Sequence, residues 1–196
     1  MKTFSWIVLA LASPGWAKAQ DAPAPPPMRG EFAGLEDTMR FIQDKLPGTV
    51  NYIVYVHDNV AGTDAVPSKR SVELSNVSAD AGHCWISFHQ HLAPGNDTVT
   101  FRHLSDVERD VGIYLKQVRE IVLMQVDQSL QRSNATRGHP ELSVKVDPAV
   151  AMVIVRSGPN QTTVNFQFYD ETLSDRVSRA LQHAVELCGG GNKDPF

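Results

Sequence analysis

The chain has 196 residues, of which 42% are hydrophobic and 20% are charged, and this composition and length suit one globular domain with terminal extensions. Its 22 acidic and 18 basic residues give a formal net charge of −4 with the histidines neutral. A mildly acidic chain with scattered charges lacks the basic patch that phosphate backbones and anionic headgroups require. We therefore expect neither nucleic acid nor an anionic membrane surface as a partner.

The first 19 residues have the order of a secretory signal peptide. Lys2 is followed by an apolar run at residues 4–12, a break at residues 13–15, and small residues at Ala17 and Ala19. The run is too short to span a membrane as a helix, which takes roughly 20 residues, and a buried core helix is the alternative. Cleavage after Ala19 would leave 16 basic and 22 acidic residues, a net charge of −6. The sequence thus predicts export, to the periplasm or the extracellular medium, with no integral membrane segment in the mature protein.

Two terminal stretches are predicted to lie outside the folded domain. Residues 20–30 contain four prolines before Met28, which is typical of an extended, disordered tether. Residues 189–196 begin with three glycines and are predicted to form a flexible tail. The single globular domain is expected between residues 31 and 188.

The first half of this domain begins with a helix and continues with strands. Residues 35–46 place apolar side chains on one helical face, and Pro47 ends the helix. Residues 50–58 (VNYIVYVHD) predict a strand, and residues 72–80 and 84–92 predict a hairpin. A change of apolar parity in residues 72–80 indicates a β-bulge near Ser75 and Asn76.

The middle of the chain permits two interpretations. Residues 94–97 predict a turn before a strand at 98–103, and residues 132–141 predict an exposed loop. Between them, residues 105–131 fit either one long helix or two short strands, 112–115 and 120–126, joined by a turn. We favour strands, because residues 121–126 are rich in β-branched side chains and Gly112 would weaken a helix.

The last part of the domain predicts two strands and a closing helix. Residues 149–156 (AVAMVIVR) form a continuous apolar run, and residues 162–169 (TTVNFQFY) alternate between apolar and polar side chains. Asp170 suits the N-cap of an amphipathic helix that extends to Cys188, and Gly189 ends it.

The stretch FQFYDETLSDRVSRALQHAV (166–185) resembles the last strand and closing helix of pleckstrin-homology-like domains. It is also similar to the C-terminal end of uncharacterised exported bacterial proteins. The resemblance implies an α+β, mainly β fold of about seven strands, in two orthogonal sheets that form a partly open barrel, with an N-terminal helix and a C-terminal capping helix. It does not imply lipid-headgroup binding, because the corresponding loop, residues 59–70, offers only Lys69 and Arg70.

The two cysteines, Cys84 and Cys188, are predicted to form a disulfide. An even count is typical of exported proteins, and Cys84 begins a strand while Cys188 ends the helix that should pack on that strand. Two separate buried thiols are the main alternative. A redox or nucleophilic role is a further one, although the chain lacks a CxxC motif.

Residues 83–91 (HCWISFHQH) carry the candidate site. On a strand, Cys84, Ile86 and Phe88 face the core while Trp85, His89 and His91 face the opposite side. These last three residues form a candidate binding surface. His89 and His91 could also hold a metal ion, with His57 or His103 as a third ligand, although two outward histidines on a strand are more often surface residues.

The sequence contains no nucleophile elbow, zinc-protease motif, phosphate-binding loop or dinucleotide fingerprint. We therefore expect a non-enzymatic exported domain that needs no cofactor and binds an unknown protein or small-molecule ligand, or has a role in the cell envelope. The alternative is a metal-dependent hydrolase that uses His89 and His91.

Overall fold

The computed structural model describes residues 34–93, 95–97, 102–104, 106–158 and 162–191. The predicted signal peptide, residues 1–19, and the predicted tether, 20–30, lie outside the described residues, as do Pro94, residues 98–101 and residues 192–196 of the predicted tail. The elements in chain order are α1 (Leu35–Lys45), β1 (Gly48–Asp58), β2 (Thr63–Asp64), β3 (Ser68–Asp80), β4 (Trp85–Leu92), β5 (Gly95–Asp97), β6 (Arg102–Leu104), β7 (Val107–Tyr114), a 3₁₀ turn (Leu115–Gln117), β8 (Val118–Gln125), α2 (Val126–Thr136), β9 (Leu142–Asp147), β10 (Ala151–Ser157), β11 (Thr162–Phe168) and α3 (Glu171–Leu187).

The strands form two main antiparallel sheets. The larger sheet has the order β2-β1-β3-β4-β7, with β9 paired to β1, and the smaller has the order β11-β10-β8. Strands β5 and β6 form a separate two-stranded ribbon. The expected class, α+β and mainly β with two sheets and a helix at each end, is confirmed, with eleven strands among the described residues rather than about seven. In this part of the chain the strands do not close into a barrel.

The core has two parts, separated by β10. Val153 and Val155 belong to the part that holds α1 and α3 against both sheets. Met152 and Ile154 belong to the other part, which also contains the buried side chains of β1. The continuous apolar run of β10 is explained by this position, because a strand covered on both faces has no polar side.

Several predicted elements are confirmed. Strands β3 and β4 form the expected hairpin, and their register shifts between Ser75 and Ser78, where Asn76 has a φ of 51°. Strands β7 and β8, joined by the 3₁₀ turn, replace the alternative of one long helix at residues 105–131.

At the end of α3 the chain continues to pack past Cys188. The N–H of Gly191 donates to the carbonyl of Val118, and a Cβ on Gly190 would lie 2.3 Å from the carbonyl oxygen of Leu115.

Two predictions about the middle of the chain are wrong, and one strand there was missed. Residues 132–136, predicted as loop, are the second half of α2, and β9 was not predicted at all. Residues 95–97, predicted as part of a turn, pair with 102–104 in the β5–β6 ribbon. Helix α2 escapes detection because it carries few apolar side chains. The amide of Gln131 explains its position, since it donates to the carbonyl of Leu142 and accepts from the N–H of Val144, both on β9.

Candidate functional site

The candidate site lies on the outward side of β4 and its two neighbours. Within β4 the inward side chains of Ile86, Phe88 and Gln90 are buried, while those of the intervening residues are partly or fully exposed, so the predicted alternation is confirmed. The register places side chains of β3 and β7 beside the exposed ones. We call this surface the histidine face and define it by the outward positions Glu73, Ser75, Ser78, Asp80, Trp85, Ser87, His89, His91, Glu108, Asp110, Gly112 and Tyr114, together with the adjacent Asp106.

Each histidine of this face is bound by its own carboxylate. His89 donates from Nδ1 to Oδ1 of Asp110 at 3.0 Å, across the β4–β7 pair. His91 donates from Nε2 to Oδ1 of Asp106 at 2.7 Å, and its Nδ1 lies 3.9 Å from a carboxylate oxygen of Glu73. The hydrogen bond to Asp106 is the main cause that raises the pKa of His91 above its ordinary value, and the nearby carboxylates add to it. His91 therefore holds its proton more strongly than a free imidazole does.

The other end of the histidine face is aromatic. The indole of Trp85 lies against Gly112, where a Cβ would come 2.0 Å from a ring carbon, so only glycine fits next to the ring in this position. The ring of Tyr114 lies beside it, with a centroid distance of 6.4 Å. Trp85 stays 39% exposed. A large aromatic ring is thus held on the surface of the sheet and left partly open to solvent.

The charges on this face are mostly negative. Glu73, Asp106, Glu108 and Asp110 surround the two histidines. At the outward positions of the paired segments 73–80, 85–92 and 107–114 there is no lysine or arginine. Arg109, at an inward position of β7, donates instead to Oε1 of Gln90. A ligand that approaches the two histidines therefore meets an acidic surface, whereas at the aromatic end the ammonium of Lys116 lies 5.9 Å from the centroid of the Tyr114 ring.

The proposed third metal ligands do not join His89 and His91. His57 lies on β1, which β3 separates from β4, and its Nδ1 donates to Asp64 at 2.8 Å. The side chain of His103 lies outside the described residues. In the part of the chain that the structure describes, no three histidine, cysteine, aspartate or glutamate side chains come together as a metal site.

The predicted disulfide is confirmed. Cys84 and Cys188 are bonded, with their Cα atoms 5.9 Å apart, and both side chains are buried. The bond connects the end of α3 to the residue before Trp85. It therefore fixes the start of β4, on which the histidine face is built, and neither cysteine is free to act as a thiol.

A second polar cluster was not predicted. Asp64, His57 and Ser143 lie side by side on β2, β1 and β9, in an open cleft of about 360 Å³. The hydroxyl of Ser143 is 3.4 Å from the backbone carbonyl of His57 and from Oδ1 of Asn59, so it is bound to these oxygens rather than to the imidazole. A signal for the cluster was present in the alternation of Leu142, Val144 and Val146 with polar residues, but β9 was not recognised as a strand.

None of the helices among the described residues is long and apolar enough to cross a membrane. Comparison with known proteins gives no significant match to any protein-family model, any curated protein or any solved structure. The assignment of a function to the histidine face therefore depends on its geometry and chemistry.

Proposed function

We propose that the protein is an exported, non-enzymatic domain that binds a protein or small-molecule ligand through the histidine face. The observation that carries the proposal is the indole of Trp85, held in place by Gly112 and Tyr114 yet open to solvent. Exposed tryptophan side chains on rigid elements are common centres of binding surfaces, because they offer a large contact area and lose little conformational entropy. The neighbouring imidazoles and carboxylates supply the hydrogen-bonding groups that orient a ligand.

Binding is a better account of this face than hydrolysis. A catalytic zinc site needs three protein ligands and an open coordination position. Here Asp110 engages His89, and Asp106 engages His91, so the two rings are oriented by different carboxylates. Ser75 and Ser87 lie on the same face, but among the described contacts the hydrogen bonds of the two imidazoles go to Asp110 and Asp106 rather than to a serine hydroxyl. A metal-dependent hydrolase is therefore the less supported function for this face.

Export is supported by two independent features. The disulfide between Cys84 and Cys188 would persist in an oxidising compartment and is rare in the cytosol of most organisms. Residues 1–19 have the order of a signal peptide, which directs a protein to such a compartment. A periplasmic or extracellular address, with a role at the cell envelope and a pleckstrin-homology-like relationship for the fold, belongs to the same proposal.

The proposal can be tested on the purified protein with an array of oligosaccharides and synthetic peptides. We expect ligands that bind the wild-type protein to be lost in Trp85→Ser, because the substitution removes the aromatic surface without altering the core. Tyr55→Ser is the matched control, since Tyr55 is 37% exposed and also faces outward but lies on β1. Ligands that bind Trp85→Ser as strongly as wild type would refute the assignment to this face. Stoichiometric zinc that is lost in His89→Ala would favour the hydrolase instead.

A further inference from the structure

The outer edge of β7 is unpaired in the part of the chain that the structure describes. Strand β7 is the last strand of its sheet, and β4 is its only strand partner among these residues. Its eight residues are mostly exposed. Alternate residues of an antiparallel edge strand direct their N–H and C=O groups away from the sheet, so about four residues of β7 offer backbone hydrogen bonds to a further strand.

The side chains beside this edge define the kind of strand that could pair with it. Glu108 and Asp110 point outward from β7 itself, and Asp106 precedes it. Directly opposite cross-strand pairs of opposite charge are favourable, whereas like charges repel. If β7 paired antiparallel with β7 of a second copy, with the pairing centred on Arg109 or on Asp110, acidic side chains would stand opposite one another. The charge pattern thus favours a basic partner over self-association.

The aromatic end of the face extends the same surface. Because the indole of Trp85 lies over Gly112, a residue of β7, it covers the edge strand and would contact a side chain of an added strand. Along the outward side of β7, Glu108 and Asp110 are acidic. The next outward position, Gly112, is covered by the indole of Trp85. This spacing matches every second residue of an extended chain.

We propose that β7 accepts an extended basic segment of another polypeptide as an additional strand. Arginine or lysine at two alternate positions would face Glu108 and Asp110, and a large apolar residue at the next alternate position would contact Trp85. Backbone hydrogen bonds would supply affinity and the three side chains selectivity, as in other cases of strand addition. This inference rests on the proposed function, because it names the partner class of the histidine face.

The first test uses synthetic peptides and the full-length protein. The basic probe is acetyl-TFTRTRT-amide, which in antiparallel pairing places its phenylalanine opposite Gly112 and its arginines opposite Asp110 and Glu108. The acidic probe, acetyl-TFTETET-amide, has the same length and pattern. We expect the basic peptide to bind at least about tenfold more tightly in an NMR titration, since two ion pairs replace two repulsions. It should also slow amide hydrogen exchange in Val107–Tyr114. Equal binding of the two peptides, or unchanged exchange in β7, would overturn the proposal.

Two further comparisons separate strand pairing from simple charge attraction. The basic peptide is N-methylated at its threonine amides or, separately, at its arginine amides. Only one set can face β7, so one methylated peptide should lose binding and the other should keep it. Loss of binding in both, or in neither, would contradict strand addition.

Protein variants locate the site and separate this inference from the proposed function. Glu108→Gln with Asp110→Asn should reduce the preference for the basic peptide about tenfold, whereas Asp44→Asn with Glu186→Gln makes the same change of charge at exposed helix positions and should not.

If Trp85-dependent binding of an array ligand persists while the basic peptide fails to bind, the strand-addition inference falls and the proposed function stands. If array ligands bind without Trp85, the proposed function itself fails. A dimer that dissociates on substitution of Glu108 and Asp110 would indicate a second copy as the occupant and overturn the inference.

Discussion

At the scale of single residues, the surroundings of His91 predict an altered titration. The hydrogen bond to Asp106 raises the pKa of His91, and Glu108 and Glu73 act in the same direction. We expect an NMR titration to give a pKa above the ordinary imidazole value of about 6.5. Asp106→Asn should lower that pKa, while Asp110→Asn, which removes the partner of His89, should change it less. An unchanged pKa for His91 in Asp106→Asn would show that the hydrogen bond is not its cause.

The direction of this pKa shift also determines how His91 affects stability. Because the folded protein binds the proton more tightly than the unfolded chain, the stabilisation is complete below the ordinary imidazole pKa. It is lost as the pH rises through the higher pKa of the folded state. The difference in unfolding free energy between wild type and Asp106→Asn should therefore shrink between slightly acidic and alkaline pH. Denaturant unfolding at several pH values measures this difference, and a difference that grows with pH would contradict the assignment.

Gly112 is the second residue whose environment makes a prediction. In Gly112→Ala the added methyl group would overlap the indole of Trp85, so the ring must leave its place on β7. We expect the indole N–H resonance of Trp85 to shift and ligands of the histidine face to be lost. Gly34→Ala is the matched control, because no described atom beyond its own chain neighbours lies within 4 Å of a Cβ built there. Retention of both the resonance position and ligand binding in Gly112→Ala would rule out Gly112 as the support of the ring.

At the scale of elements, predictability depended on whether a segment carries its own apolar pattern. The orientation of β4 could be predicted, because strict alternation decides which side chains enter the core. Strand β9 carries such a pattern, with Leu142, Val144 and Val146 alternating with polar residues, and it was overlooked. Helix α2 could not be predicted, because it carries few apolar side chains and is held to β9 by contacts of Gln131 with backbone groups more than ten residues away. The carboxylates of the histidine face could not be predicted either, because they also depend on contacts between distant residues. Asp106 and Asp110 become neighbours of the histidines only once β4 is known to pair with β7.

The Gln131 contact gives a prediction about α2. In Gln131→Ala the helix loses two hydrogen bonds to β9, and the half-buried carbonyl of Leu142 and N–H of Val144 lose their partner. We expect the free energy of unfolding to fall by about 1–3 kcal/mol. Gln128→Ala is the control, because Gln128 is an exposed residue of the same helix and the change should cost far less. Equal effects of the two substitutions in chemical denaturation would mean that the Gln131 amide does not hold the helix to the strand.

At the scale of the whole molecule, α3 connects the parts of the fold. Its buried side chains lie in the core shared by α1 and both sheets, and its end is bonded through Cys188 to the start of β4. The sequence predicted this connection because only two cysteines are present and each stands at the end of a recognisable element. The packing of β10 between two cores was beyond such reasoning, since an apolar run indicates burial on both faces but does not identify what covers each face.

The disulfide between Cys84 and Cys188 allows a prediction about the stability of the whole fold. It closes a chain segment with a sequence separation of 104 residues, so breaking it gives the unfolded chain more freedom. Chain-entropy arguments place the loss of unfolding free energy at about 4–5 kcal/mol for Cys84→Ser with Cys188→Ser, if the native bond is unstrained. Denaturant unfolding of the double variant and of wild type, with and without reductant, measures it. Reduced wild type should approach the double variant, whose midpoint should not respond to reductant. Because the bond lies next to Trp85, the double variant should also show faster amide exchange at the start of β4. Equal stability of oxidised wild type and the double variant would mean that packing alone holds α3 to the histidine-bearing strand.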